Sequence, residues 1–413
     1  MLDIKFIREN IEATKKGVSD KNCDIKKVDE TIAKDRQKRE LQGKVDALNA
    51  ERNKLGRDQI KRGKEIKEEL KKIEACLKII DFELKELLNE IPNIPMQDVP
   101  VGKGENDNVE VKKWGIPRKF DFEPKSHLDI GKCLRILDFE TGAKVTGSQF
   151  YYLSGDAVLL ELALTQYAFN LLTKENFIPV ITPDLAKSRY YLGTGYSPRG
   201  NEAQTYKIEG EDLGLIATAE ITLAGKHADE ILLESDLPIK YVGYSHCFRK
   251  EAGAYGKYSK GLYRVHQFTK VEMFIYCAQE ESNKYHEYIL ELEERIYQGL
   301  GLPYRVVEMC TGDLGTMAVR KFDIEVWMPG RNMYGEVTST SNCTDYQARN
   351  LNIKYRKKDG SIKHVHMLNG TAIASSRTPL AILENYQNDD GSVTIPEVLR
   401  PIMGKEKIEL PHK

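Results

Sequence analysis

The sequence predicts an α+β protein, in which an N-terminal antiparallel helical coiled-coil hairpin precedes a domain with an antiparallel sheet flanked by helices. Three observations support this prediction. The first 91 residues contain no proline and carry an apolar heptad repeat, three prolines follow within residues 92–100, and strand patterns then alternate with helical ones. Because prolines end helices and stiffen linkers, we predict two domains, residues 1–100 and 101–413.

The helical hairpin is predicted from the spacing of its apolar residues. Intervals of four and three residues alternate without a break, which is the period of a left-handed coiled coil. The residues of this seam are Ile66, Leu70, Ile73, Leu77, Ile80, Leu84, Leu87 and Ile91. A weaker seam precedes it at Leu41, Val45, Leu48 and Leu55. The polar segment between the seams, residues 56–63, predicts a short loop and therefore an antiparallel pair of helices.

Charge is balanced over the whole chain but not along it. The chain holds 62 Lys and Arg against 63 Asp and Glu, whereas residues 31–80 hold 15 basic and 9 acidic residues. A basic segment on a nearly neutral protein fits local contact with phosphate groups. A lysine-rich, solvated helix face explains the same numbers, and charge alone favours that interpretation.

The second domain is predicted to be a mixed structure. Residues 158–172 form an apolar helical pattern, and residues 178–183 form a strand that two prolines confine to an edge or an interface. Residues 271–277 and 322–327 alternate with a period of two, which predicts strands with polar groups on one face. Strand patterns outnumber strand–helix–strand spacings, so we expect an antiparallel sheet.

Several classes of protein are disfavoured by composition. The seven cysteines are scattered without a CxxC pair, which is typical of reduced thiols and predicts no zinc site. His364 and His366 lack a third ligand at the usual spacing for a metal. No apolar run approaches the roughly 20 residues that span a bilayer, and the N-terminus resembles no targeting peptide. We therefore expect a soluble, cytoplasmic protein without a membrane partner.

Two segments each place an arginine in a polar frame that contains glycine. Residues 248–253 (FRKEAG) contain Arg249 after an apolar pair, and Phe268 follows in residues 263–268 (YRVHQF). An arginine there can hold a phosphate, and the phenylalanine can stack on an adenine ring. A surface salt bridge from Arg249 to Glu251 is the alternative.

Arg377 occupies the second segment, residues 368–378 (LNGTAIASSRT), just before a predicted helix. A cation at a helix start opposes the helix dipole, and such a conflict is typical of a functional site. We assign Arg377 to the γ-phosphate of a nucleotide. Two fixed guanidinium groups are what a polyphosphate substrate requires.

A carboxylate beside hydroxyl groups suggests a magnesium site. Glu336 begins the segment at residues 336–343 (EVTSTSNC), and Mg²⁺ prefers such hard oxygen ligands. A hydroxyl-rich edge strand is the alternative. Residues 252–261, with Lys257 and Lys260, are predicted to cover a nucleotide or to touch an RNA end, or else to be a solvated loop.

These segments resemble motifs 2 and 3 of class II aminoacyl-tRNA synthetases. Residues 217–220 (ATAE), 271–274 (VEMF) and 310–315 (CTGDLG) resemble the seryl-tRNA synthetase family in particular. The resemblance implies catalytic roles for Arg249, Arg377 and Glu336. It implies that ATP contacts Arg249, Lys250, Glu251, Val265, Phe268, Glu336, Val337, Thr338, Ser339 and Arg377. It implies that serine contacts Thr218, Ala219, Glu220, Arg249, Glu272, Asn369 and Thr371, and that Mg²⁺ is held by Glu336 and Ser339.

The resemblance also implies a reaction and its partners. L-serine and ATP would give seryl-adenylate and pyrophosphate, and serine would then pass to the 3′ end of tRNA(Ser), with selenocysteine tRNA as a second candidate. The N-terminal hairpin would bind the long variable arm of the tRNA, and the protein would be a homodimer. This chain departs from the family at Lys257 and Lys260, where arginines are common, and at Thr371, where many relatives carry serine.

Two other functions fit parts of the sequence. A ligase that loads an amino acid onto a carrier protein would share the core, but such relatives usually lack the N-terminal hairpin. A non-catalytic paralogue acting as a scaffold would lack the motif arginines or the pocket glutamates. This chain has the hairpin, and it retains Arg249, Arg377, Glu220 and Glu272.

Overall fold

The protein folds into two compact units, Met1–Pro95 and Met96–Lys413. A computed structural model describes residues 1–56, 58–196, 205–251 and 261–410. The sequence predicted a boundary five residues further along the chain than the observed one. The segment 96–100 belongs to the second unit because the Met96 amide donates to the carbonyl of Val319 at 3.1 Å and Val99 is buried against Val307.

The described part of the first unit is helical, and its two long helices form the predicted antiparallel hairpin. Its helices are α1 (Ile4–Glu9), α2 (Ile11–Asp20), α3 (Lys26–Arg52) and α4 (Ile60–Glu90). Ion pairs join the start of α3 to the end of α4, with Lys27 3.2 Å from Glu90 and Lys38 2.6 Å from Asp81. Only an antiparallel arrangement brings these positions together.

The hairpin differs from the prediction in its loop and at one end of its seam. Residues 60–63 form the first turn of helix α4, so helix α3 ends at Arg52 and α4 begins at Ile60, before the end of the predicted loop at 56–63. Ile66, Leu70 and Leu77 are buried as predicted, but Leu88 is buried in place of Leu87. An unstrained helix drifts away from a strict heptad by about 20° per repeat, which moves the buried face to the next residue.

The second unit combines helices with one large sheet. Its helices are α5 (His127–Cys133), α6 (Phe139–Val145), α7 (Asp156–Lys174), α8 (Ser188–Thr194), α9 (Glu220–Gly225), α10 (Ser282–Gly299), α11 (Tyr346–Leu351), α12 (Arg377–Asn385) and α13 (Arg400–Met403). The predicted helix at 158–172 is thus confirmed as α7.

The strands are β1 (Val109–Trp114), β2 (Leu137–Asp138), β3 (Tyr152–Leu153), β4 (Ile178–Ile181), β5 (Leu185–Ala186), β6 (Gly214–Leu215), β7 (Ile231–Leu233), β8 (Ile239–Phe248), β9 (Gln267–Cys277), β10 (Tyr304–Glu308), β11 (Arg320–Met328), β12 (Met333–Asn342), β13 (Lys354–Arg356), β14 (Ile362–His364), β15 (His366–Ala374), β16 (Val393–Thr394) and β17 (Lys407–Ile408). Eight of them form the large sheet in the order β1-β10-β11-β12-β15-β9-β8-β4.

The large sheet is antiparallel except where β4 pairs in parallel with β8 at one edge. The predicted proline-bearing strand is therefore an edge strand. Strand β12, which holds Glu336, lies between β11 and β15, so the alternative of a hydroxyl-rich edge strand is wrong.

Strand β9 carries its polar groups on one face as predicted, but both of its faces are buried. One face packs into the main core with Leu160 of α7 and Ile289 of α10. The opposite face forms the wall of a cavity, where polar side chains are buried beside one another. Alternation in the sequence therefore identified the strand but not its central position.

Candidate active site

The large sheet carries an open cavity of about 290 Å³. Strands β9, β11, β12 and β15, the segment that follows β8 and the first residue of α12 contribute to its wall. The predicted site residues that line it are Glu220, Arg249, Glu251, Val265, Phe268, Glu272, Glu336, Val337, Thr338, Ser339, Asn369, Thr371 and Arg377. Residues that are separated by up to 157 positions in the chain are therefore brought together on one face of the sheet.

Three predicted site residues lie outside the wall of the cavity. Lys250 is exposed, and its ammonium lies over the ring of Tyr206, 5.6 Å from the centroid. Thr218 and Ala219 are buried. The Thr218 hydroxyl accepts a hydrogen bond from the amide of Glu220 at 3.2 Å. Thr218 thus contacts the backbone of Glu220 and does not line the cavity. The segment 252–260, with Lys257 and Lys260, lies outside the described residues.

One end of the cavity is cationic. Arg249 follows the last residue of β8, and its guanidinium lies 5.2 Å from the centroid of the Phe268 ring. Arg377 begins α12 as predicted, lies 4.9 Å from the centroid of Tyr263 and forms a 2.7 Å ion pair with Glu336. Cation–π contacts and a fixed ion pair hold both arginines in defined positions.

Among the ion pairs of the described residues, Glu251 is joined to an arginine other than Arg249. Its carboxylate lies 2.9 Å from the guanidinium of Arg264. The Arg249 Nε instead donates to the carbonyl of Ala217 at 3.3 Å. Arg249 is therefore anchored to the backbone at Ala217 and lines the cavity.

The charges at this end are mutually stabilised. Burial acts to raise the pKa of Glu336, but the charges of Arg377 and Lys321 outweigh it, so the pKa of Glu336 is lowered. Burial acts to lower the pKa of Arg377, and Glu336 reverses this, so the pKa of Arg377 is raised. Both groups are therefore ionised at neutral pH.

The donor atoms near Glu336 fit a hard divalent cation. Ser339 lines the cavity beside Glu336, and Asp323 pairs in register with Ser339 on the adjacent strand. The Oδ1 atom of Asp323 is buried without a hydrogen bond from the described residues, and burial raises the pKa of Asp323 to about 7. Carboxylate and hydroxyl oxygens concentrated in this way are suitable for Mg²⁺ with several retained waters.

No histidine or cysteine site accompanies these oxygens. Among the residues that the structure describes, no group of three or more His, Cys, Asp or Glu side chains could hold a metal ion. His366 is largely buried, and burial lowers its pKa to about 4. No helix in the described ranges is both long enough and apolar enough to cross a membrane.

The other end of the cavity is acidic. The Oε1 atom of Glu220 accepts hydrogen bonds from Gln347 at 2.7 Å and from Asn369 at 3.1 Å, and its Oε2 atom accepts one from Tyr196 at 2.9 Å. Glu220 is 2% exposed. Burial raises its pKa to about 7, and the nearby charge of Glu272 contributes in the same direction.

Glu272, on strand β9, lies near Glu220, which begins helix α9. Its Oε2 atom accepts a hydrogen bond from the Thr371 hydroxyl at 3.2 Å and an ion-paired contact from Lys270 at 2.6 Å. All three side chains are less than a tenth exposed. The neighbouring Gly370 lets β15 lie directly on α10, since a Cβ atom there would clash with Ile289.

Several cavity residues were not predicted from the sequence. They are Lys270, Lys321, Tyr196 and Tyr263 in its wall, and Gln347, which donates a hydrogen bond to Glu220. Lys270 lies between Phe268 and Glu272 on a strand, so period-2 alternation would have placed it on the same face. Gln347 comes from α11 by a tertiary contact for which the local sequence carries no signal.

Both units of the chain are similar to known protein families. Residues 1–95 match the seryl-tRNA synthetase N-terminal domain, and residues 205–386 match the class II tRNA synthetase core domain of the G, H, P, S and T group. The serine–tRNA ligase of Dictyoglomus thermophilum is 54% identical, with 99% of each chain covered. That of Treponema denticola is 51% identical, with 99% of this chain and 100% of the relative covered.

The chain belongs to the seryl-tRNA synthetase family. A solved structure of seryl-tRNA synthetase from Pyrococcus horikoshii, complexed with ATP, superposes with a TM-score of 0.94 at 42% identity, over 100% of both chains. Prolyl-tRNA synthetase from Giardia lamblia shares the fold alone, with a TM-score of 0.57 at 17% identity over 66% of this chain and 54% of that one.

Membership of the seryl-tRNA synthetase family confirms the predicted fold class, an N-terminal helical region followed by a class II core. It also confirms the predicted enzyme class, an aminoacyl-tRNA ligase.

Proposed function

We propose that this protein activates L-serine with ATP to form seryl-adenylate and pyrophosphate, and then transfers serine to the 3′ end of tRNA(Ser). The observation that carries the proposal is the polarity of one cavity. Arg249 and Arg377 line its cationic end, and Glu220 and Glu272 line its acidic end. The anionic phosphates of ATP match the cationic end, and the ammonium group of an amino acid matches the acidic end.

The cationic end is suited to the activation step. The serine carboxylate would attack the α-phosphorus of ATP in line, with Arg249 at the α-phosphate and Arg377 at the γ-phosphate. Phe268 would stack on the adenine. Mg²⁺, held by Glu336 and Ser339, would supply further charge for the phosphates when bound. Positioning and electrostatic stabilisation are sufficient, because the substrate carboxylate is itself the nucleophile.

The acidic end is suited to serine. Two carboxylates can hold an ammonium group, and Glu272 with Thr371 offers acceptors to a hydroxyl group. Alanine lacks the hydroxyl and would leave these buried polar groups unpaired, which discriminates strongly. Threonine would be excluded because its additional methyl group lacks space.

The N-terminal hairpin is proposed to bind the long variable arm of the tRNA. Its support is the match of residues 1–95 to the seryl-tRNA synthetase N-terminal domain, together with the local excess of basic residues in 31–80. Contacts of this kind are made to the RNA backbone and weaken with salt.

A homodimer is also proposed, with α7 and β4 at its interface. Apolar side chains on these adjacent elements are unusually exposed for a folded domain. They are Val158, Leu159, Leu162, Ile178 and Ile181, the last being 82% exposed. Contiguous exposed apolar surface of this kind marks a protein interface. The proposed location of the dimer is the cytoplasm.

Amino-acid-dependent ATP–pyrophosphate exchange, measured with all twenty amino acids, tests the proposal. Exchange with serine alone is the expected result, followed by serine transfer to tRNA(Ser) in a charging assay. Exchange with glycine or alanine would contradict the roles of Glu220, Glu272 and Thr371. Exchange with serine but transfer only to a carrier protein would favour the alternative ligase.

A further inference from the structure

Lys270 lies within the acidic end of the cavity although no motif predicted it. On strand β9, side chains at alternate positions share a face, so Lys270 lies between Phe268 and Glu272. It is 7% exposed, and its Nζ atom is 2.6 Å from Oε2 of Glu272. A buried ammonium this close to a buried carboxylate is held firmly, because separating the two would leave an uncompensated charge.

The contacts of Glu272 are made by one of its two oxygens. Lys270 and the Thr371 hydroxyl both approach Oε2, the latter at 3.2 Å. In the described part of the chain, no hydrogen bond to Oε1 accompanies them. An ionised carboxylate has about four acceptor positions. The arrangement therefore fixes the orientation of the Glu272 carboxylate and leaves Oε1 able to accept a hydrogen bond from a ligand.

Lys270 also contributes to the net charge of this end of the cavity. Glu220 and Glu272 together carry two negative charges when ionised, and Lys270 reduces the sum to one. Burial raises the pKa of Glu220 to about 7, the charge of Glu272 acts in the same direction, and Lys270 opposes both. Other titratable or charged groups that face Glu220 and Glu272 are Tyr196 after α8, Arg249 and Cys247 of the β8 end, and Glu293 of α10.

We propose that Lys270 is a positioning residue for serine recognition. It fixes Oε2 of Glu272 so that Oε1 accepts the hydroxyl hydrogen of serine, and it compensates one carboxylate so that the pocket matches a single ammonium group. Lys270 acts through Glu272 and touches no reacting atom. The inference rests on the proposed serine pocket.

The test is ATP–pyrophosphate exchange with the full-length Lys270→Met variant. We expect KM for serine at pH 7 to rise about 10- to 100-fold, as for loss of a hydrogen bond to a charged group, with kcat within about threefold. Preference for serine over alanine should fall. Lys270 opposes protonation of Glu220, so its removal should raise the pKa of Glu220 further. The fall in serine KM with rising pH should therefore occur at a higher pH than in the native protein. Lys240→Met on β8 is the matched control, since Lys240 donates to the carbonyl of Glu175 away from the cavity.

Two further variants separate the possible failures. Glu272→Gln should raise serine KM whatever Lys270 does. If it does not, the proposed serine pocket is wrong, whereas a normal serine KM and pH profile in Lys270→Met beside a defective Glu272→Gln would overturn the role of Lys270 alone.

Folding must be separated from recognition, because Lys270→Met leaves Glu272 without its counter-ion. Circular dichroism would show whether the variant is folded. If it is not, Lys270→Arg retains the charge with a different geometry, and an intermediate rise in serine KM is expected. An unchanged serine KM in folded Lys270→Arg, with unchanged preference over alanine, would count against positioning.

Discussion

At the scale of single residues, the cavity is organised by opposed charges that restrain one another. Arg377 is paired with Glu336 at 2.7 Å, and Lys270 with Glu272 at 2.6 Å. Each pair holds a cation and a carboxylate in fixed contact at the cavity wall. Such preorganised groups stabilise developing charge without reorganising during the reaction.

Replacing Arg377 tests the phosphate assignment most directly. We expect Arg377→Ala to reduce the rate of ATP–pyrophosphate exchange at least about 100-fold, since a preorganised charge is lost from the transition state. The secondary structure should be unchanged by circular dichroism. Arg295→Ala is the control, because Arg295 pairs with Glu175 on the surface of α10. Near-normal exchange by Arg377→Ala would remove this residue from the site.

The raised pKa of Glu220 predicts how serine binding depends on pH. Its pKa in the folded protein is about 7, above the ordinary value for glutamate, so the carboxylate becomes fully ionised only above that pH. An ammonium group binds the ionised form. Serine KM should therefore fall as pH rises from 6 to 8 and then level off.

Glu220→Gln provides the comparison for this pH dependence. The variant should have a higher serine KM that no longer changes across pH 7, measured by the same exchange assay with saturating ATP. A native pH profile retained in Glu220→Gln would assign the ionisation to another group.

At the scale of secondary-structure elements, ion pairs join the two long helices of the hairpin, α3 and α4, to each other. Lys27 with Glu90 and Lys34 with Glu83 show that residues near 31 and 86 lie opposite each other. The outer part of α3 and α4 can therefore be removed and the cut ends joined by a short linker. Few interactions of the remaining helices should be disturbed.

Deleting residues 31–85 should separate the two steps of the reaction. Adenylate formation, measured by exchange, should stay within about threefold of the native rate, while charging of tRNA(Ser) should fall by at least about 100-fold, as for a complex that loses several phosphate contacts. Normal charging by this variant would contradict the proposed role of the hairpin. Thermal unfolding of the variant serves as its structural control.

At the scale of the whole molecule, an apolar face formed by α7 and β4 is the most informative surface of the second unit. Leu162 of α7 is 56% exposed and Ile181 of β4 is 82% exposed. On the opposite side of α7, Leu160 and Leu164 are buried. Exposure of this kind is unfavourable in a monomer. Association of two copies would remove it from water.

Charged residues on this face should dissociate the proposed dimer. In sedimentation experiments, we expect the native protein to have twice the mass of the chain, and the double variant Leu162→Asp/Ile181→Asp to have the mass of one chain. Ile362→Asp on the small strand β14 is the control, because Ile362 is also exposed, at 45%, but lies outside α7 and β4. A dimer that survives the double substitution would place the interface elsewhere.

Much of the fold followed from the sequence because it depends on local patterns. The seam through Ile66, Leu70 and Leu77 predicted the hairpin, since heptad spacing directly specifies which face is buried. Arg249 after β8 and Arg377 at the start of α12 were likewise identifiable, because each lies in a short segment of unusual composition.

The tertiary structure alone decided the partners. Gln347 reaches Glu220 across 127 positions, and Lys270 meets Glu272 in a pocket that forms only when β15 packs beside β9. The burial that raises the pKa of Glu220 to about 7 is likewise a property of the assembled sheet. The sequence therefore determined the elements and the types of chemical group, whereas the fold determined which groups meet and which charges they keep, because contact and desolvation depend on distances through space.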